Sequence, residues 1–98
     1  MKKYYYNNFL VRKSNNDYTY AVGCVVGNKL KVFGCHRNLD LATKRFNETK
    51  KNLERCYKSW ENVPEEDMKY FSVAECERNF KANKYLFDNL MLIKLEAR

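Results

Sequence analysis

Glutamine is absent from this 98-residue sequence, histidine, proline and tryptophan occur once each, and glycine occurs three times. Each scarcity closes off a kind of chemistry. With so few glycines there is neither a P-loop nor a GxGxxG turn to cradle phosphates. With one histidine there is no HExxH pair for a catalytic metal. The lone His36 sits at the end of an extended segment, where a structural or surface role is the expected one. Cys35 adjoins it, but adjacent residues of a strand point to opposite faces, so the two do not form a nucleophile–base pair. Glu65, Glu66 and Asp67 read as the solvated start of a helical turn, not as paired catalytic carboxylates. No enzymatic activity is expected, and no small-molecule substrate.

Long apolar runs are also missing, so no segment is expected to span a bilayer. The opening MKKYYYNNFL has the charged start of a signal peptide, but Val11 to Asp17 then turns polar where the apolar core of a signal would follow. The expected location is cytoplasmic. Abundant Lys, Asn and Tyr together with absent Gln resemble coding by an AT-rich genome, which points to a bacterial or phage-infected host cell. In a reducing compartment the four cysteines are expected as thiols, with no cofactor. No CxxC pair supplies the local signature of a zinc site. Were zinc bound, Cys24, Cys56 and Cys76 are the ligands that the expected packing would gather.

Core-forming residues are plentiful: 45% of the chain is hydrophobic and 15% aromatic. That composition specifies a folded domain, and the length suits one domain over residues 1–98. Tyr4 to Arg12 reads as a first strand, and Lys13 to Asp17 as a polar turn. Tyr18 to Val26 alternates cleanly and reads as a second strand. Gly27-Asn28-Lys29 reads as a three-residue hairpin loop leading to a third strand, Leu30 to His36. That register pairs Val26 with Leu30 and Cys24 with Val32, and keeps Lys31 off the apolar face.

Asn38 is a helix N-cap by type and position. Leu39, Ala42, Phe46, Thr49, Leu53, Cys56 and Trp60 recur at spacings of three and four, predicting a helix from about 39 to 61 that turns Phe46, Leu53 and Trp60 toward the sheet. Pro64 lies beyond its end. Ser72-Val73-Ala74-Glu75 has the pattern of a capping box, so a second helix is expected from Val73. Leu90 to Leu95 fits a buried strand or a helix continuation, and Asp88-Asn89 favours a break followed by a fourth strand. The expected class is α+β: a small antiparallel sheet, a three-stranded meander with a C-terminal fourth strand, and two helices packed on one face.

Charge carries the functional signal. Residues 1–60 hold thirteen Lys or Arg against four Asp or Glu, whereas residues 61–98 hold six against eight. On the first helix Lys44, Lys51, Arg55 and Lys58 fall in one row with Glu48. Arg37 and Lys31 extend that charge toward the hairpin. Tyr4 and Tyr6 are candidates for exposed aromatic contacts beside it, whether in base stacking or in a protein–protein hot spot. The expected function is that of a small basic binding protein. One reading is an accessory or inhibitor of the phage type that docks on an acidic protein surface or a nucleoprotein complex of the host; an RNA-guided nuclease is one such target by analogy. The other is direct binding of DNA or RNA through the basic helix and the tyrosines.

Overall fold

Two asparagines decide how the first aromatic segment folds. In the computed structural model, which describes residues 1–98, Asn7 takes a φ of 51°. Asparagine tolerates this left-handed conformation better than most residues. The segment expected as one strand is therefore a hairpin, β1 (Lys2–Tyr6) and β2 (Phe9–Ser14), with Tyr6 opposite Phe9 across the turn. The chain continues with β3 (Tyr20–Val26), β4 (Lys29–His36), α1 (Leu39–Glu61), a short 3₁₀ turn (Glu65–Asp67), α2 (Val73–Asn89), β5 (Met91–Lys94) and β6 (Glu96–Ala97). The class is α+β, with two helices and antiparallel strands. The strands form two three-stranded sheets, β2-β1-β6 and β4-β3-β5, where one meander was expected.

The second hairpin departs from the expected register. Val26 pairs with Lys29, so the turn is the two residues Gly27-Asn28, with Gly27 at a φ of 63°. A positive φ at the first central position suits glycine and the type II′ hairpin turn. Val25 then pairs with Leu30 and Cys24 with Lys31, not Val26 with Leu30 and Cys24 with Val32. Two features accommodate a lysine at that position. Lys31 lies on β4, an edge strand, where its side chain stays exposed with its ammonium 5.6 Å from the Phe33 ring. A bulge between Val22 and Gly23 then resets the pairing, so that the register slip does not run along the whole strand.

The C-terminal segment is a strand, as Asp88-Asn89 suggested, and it serves both sheets. β5 pairs with β3 through Ala21 opposite Ile93, and β6 pairs with β1 through Tyr4 opposite Ala97. Leu95 N donates to Thr19 O at 2.8 Å between these two pairings. Tyr4, Ala21, Ile93 and Leu95 form the resulting core cluster, with Tyr6, Val11, Leu30 and Met91 packed against it. Val22 and Cys24, on the alternate face of β3, are fully buried.

Contacts group the chain into two compact units, residues 1–49 with 90–98, and residues 50–89. The first holds both sheets and the start of α1, which is capped where expected: Leu41 N donates to Asn38 Oδ1 at 2.9 Å. The second holds the rest of α1 and all of α2. Ser72 Oγ caps α2 by accepting from Glu75 N at 3.1 Å. Tyr57 meets Phe80 and Phe87 edge-on, with centroids 5.9 and 5.2 Å apart, and Lys84 lies over both Tyr57 and Phe87. Trp60, expected to turn toward the sheet, has its ring against Phe71 at 5.1 Å.

Gly23 gives the fold a sharp test. A Cβ there would stand 2.8 Å from the Lys31 carbonyl oxygen and 3.3 Å from Ile93 Cδ1. Backbone on a paired strand cannot move aside cheaply, so Gly23→Ala is expected to destabilise the protein by about 1–3 kcal/mol in urea denaturation. A loss under about 0.5 kcal/mol would place β4 farther from β3 than described.

Candidate functional site

The tyrosines proposed for stacking belong to the core. Alternation puts Tyr4 and Tyr6 on one face of β1, the face that meets the β3–β5 pair. Tyr4 is 2% exposed, its hydroxyl donates to Asn16 O at 2.6 Å and accepts from Tyr18 N at 3.2 Å, and its ring meets Tyr18 edge-on. Tyr6 is half-buried against the same cluster. Tyr4 offers no free ring face to a base, which corrects that part of the expected site. A small unit has few large side chains with which to fill a core, and here the tyrosines are used for it. The exposed tyrosines are Tyr70 and Tyr85. Tyr70 lies between Pro64 and the Ser72 cap, outside every apolar stripe.

The basic residues stand where their helix and loop positions put them. Arg37 is exposed in the link between β4 and α1. Lys44 lines a shallow depression with His36, Leu41, Arg45 and Glu48. Lys51, Arg55 and Lys58 line another, together with Glu54. Glu54 is the member that spacing alone did not single out. Its carboxylate accepts from Lys58 Nζ at 2.7 Å. That hydrogen bond, with the attraction between the two charges, holds the Glu54 carboxyl below its ordinary value and the Lys58 ammonium above its own. Ion pairs elsewhere engage Lys2, Lys84 and Arg98 but not Lys44, Lys51 or Arg55. These three cations keep their charge available to a partner.

His36 and the cysteines show what the rest of the surface can do chemically. His36 Nε2 is shielded from solvent and has no hydrogen-bond partner. Burial, then the nearby Arg45 guanidinium, lowers the pKa of the ring. Gly34 makes room for the pair, since a Cβ on it would lie 3.0 Å from Nε2 and 3.4 Å from Arg45 Nε. Burial pushes the Cys35 thiol up, against the charge and hydrogen bond of Arg12. A raised thiol is a poor nucleophile near neutral pH. All four cysteines are free thiols, Cys24 and Cys76 buried and Cys56 exposed. No three His, Cys, Asp or Glu side chains are grouped to hold a metal ion, so Cys24, Cys56 and Cys76 do not form the conditional zinc cluster. Similar distances from a turn do not make two helix residues point the same way: Cys56 faces water while Cys76 faces inward. No helix is long and apolar enough to cross a membrane.

Comparison of the chain with protein-family models, with curated proteins and with solved structures found no match.

Two measurements check this geometry. Because the His36 pKa is lowered in the folded state from 6.5, the unfolded chain takes up its proton first as pH falls. This contribution to stability is full above the unfolded value and declines as pH drops through it. Chemical denaturation at about pH 7.5 and about pH 5.5 is expected to give a lower stability at the acid value, with the difference reduced in His36→Gln. An unchanged difference in that variant would remove His36 as its source. For the thiols, a maleimide or disulfide reagent applied to native protein is expected to modify Cys56 first and Cys24, Cys35 and Cys76 only slowly. Cys56→Ser should abolish the fast phase; a fast phase that survives would contradict the assigned exposures.

Proposed function

We propose that the protein is a small non-enzymatic accessory or inhibitor that docks through the basic face of α1 on an acidic protein surface of a host protein or nucleoprotein enzyme. The observation that carries this reading is the group Lys51, Arg55 and Lys58 around one depression of α1, with Glu54 set among them and tied to Lys58. Exposed cations without partners steer association with an acidic surface and fix its register. Glu54 favours a protein as the target. A phosphate backbone presents negative charge everywhere along its length, so a carboxylate within the contact works against binding it. An acidic protein surface offers donors as well as acceptors and can answer a mixed pattern. The burial of Tyr4 also removes one of the two rings that a stacking contact with DNA or RNA would use. On the other unit Lys44 and Arg37 are exposed and are assigned the same kind of contact.

The test is to purify the protein from its natural host with whatever it holds, and to repeat this after nuclease treatment. The complex is expected to survive nuclease. Lys51→Glu with Arg55→Glu is expected to weaken it about tenfold or more, mainly through slower association, with a matching loss of salt dependence. Bare DNA or RNA should bind weakly, without sequence preference, and should release steeply with salt. Tight, salt-resistant binding to any single- or double-stranded nucleic acid would overturn the reading in favour of direct nucleic-acid recognition.

A further inference from the structure

The segment that closes the second unit, residues 61–77, has a chemistry unlike the rest of the chain. It holds Glu61, Glu65, Glu66, Asp67, Glu75 and Glu77 against a single cation, Lys69, in a protein whose net charge is +7. Among these acids the segment exposes large apolar side chains: Tyr70 at 69%, Val73 at 63% and Phe71 at 36%. Val73 and Phe71 each line a depression, and the Tyr70 ring carries the Lys69 ammonium at 5.0 Å. Trp60 meets Phe71 edge-on, and Trp60 with Val63 lines two neighbouring depressions. The first is floored by Met68, Cys76 and Phe80 and carries Glu61 and Glu77; the second includes Pro64 and Asp67.

Exposed aromatic and aliphatic surface is unfavourable in water by roughly 25 cal/mol per Å², and a patch of it rimmed by polar groups is the usual mark of an interaction site. Trp, Tyr, Phe and Met are the side chains enriched at the centres of such sites. The rim selects the occupant. The carboxylates of Glu61, Asp67 and Glu77 at these depressions repel nucleic acid, anionic lipid and acidic protein, and they repel the same patch on a second copy. They attract Lys and Arg. We propose that this tip is a docking site for a segment of a partner protein that carries an apolar anchor flanked by basic residues, the anchor seated beside Trp60 and Phe71 and the cations facing Glu61, Asp67 and Glu77. The site stands apart from the α1 basic face in its residues and in the sign of its charge, so either reading can fail without the other.

Trp60 is the sole tryptophan and reports occupancy directly by its emission. The probe is a synthetic peptide of leucine and lysine, compared with one of lysine alone and one of leucine and glutamate. Saturable change in Trp60 emission is expected with the leucine–lysine peptide, and affinity at least about tenfold lower for the other two, a difference of about 1.4 kcal/mol. Phe71→Ala is expected to lower affinity to a similar extent. Because that change also removes a packing partner of Trp60, Tyr70→Ser with Val73→Ser serves as the second variant; both positions are exposed, and the thermal transition checks that each variant is folded. Glu61→Lys with Glu77→Lys should abolish binding of the leucine–lysine peptide, and Lys51→Glu with Arg55→Glu should leave it intact. Absence of a saturable signal, equal affinity for the leucine–glutamate peptide, or full affinity in the Tyr70/Val73 variant would each overturn the proposal. So would self-association in sedimentation that the Tyr70/Val73 variant loses, since that would make a second copy the occupant.

Discussion

The pairing of β3 on both of its edges is the constraint on which the first unit depends. β4 reaches it from an adjacent hairpin, but β5 arrives from the far end of the chain. The approach is close enough that Gly23 has no room for a Cβ. Once β5 is in place, the short step through Leu95 carries the chain to the edge of β1, and the two sheets are tied together by one C-terminal segment. Tyr4, Ala21 and the pair Ile93 and Leu95 then come from three separate stretches of sequence to make one cluster. Contacts of such long sequence separation form late and at an entropic cost that local structure does not offset. Leu90, Ile93 and Leu95 of the last nine residues are thus buried, and the strands of this segment pair in both sheets.

That core has a consequence for the surface. A unit this small recruits its tyrosines for packing, and hydrogen bonds from Tyr4 to the Asn16–Tyr18 turn satisfy the hydroxyl that burial would otherwise strand. What remains outside on the first unit is chiefly lysine, arginine and asparagine. The second unit reverses the pattern at its tip, where acids surround exposed rings. The two proposed docking surfaces thus differ in the sign of their charge, and each would reject what the other would attract.

Burial governs the electrostatics of the reactive side chains of the first unit. It raises the Cys24 and Cys35 thiols away from thiolate and, with the Arg45 guanidinium as a second cause, lowers the pKa of His36. The consequence is for stability against acid, where a shielded imidazole resists charging.

Local signals in the sequence sufficed for the helices. The Asn38 cap, the stripe from Leu39 to Trp60, Pro64 and the Ser72 cap together place α1 and α2, because caps and periodicity act within a few residues of themselves. The α+β class, the strand character of residues 91–94 and the exposure of Arg37, Lys51 and Arg55 were legible for the same reason. Register was not. Reading the Gly27 hairpin from side-chain alternation favoured the longer loop, since nothing local announces that a bulge at Val22 and Gly23 will absorb a one-residue slip. Reading β1 and β2 as one strand missed that Asn7 would turn the chain. The fate of Tyr4 and Tyr6 and the separation of Cys56 from Cys76 were likewise decided by tertiary structure, for burial is a property of what packs against a residue. Composition and local spacing determined which elements form and where charge lies along the chain; only the pairing of distant strands decided which faces those elements bury, because that choice is made between residues far apart in sequence.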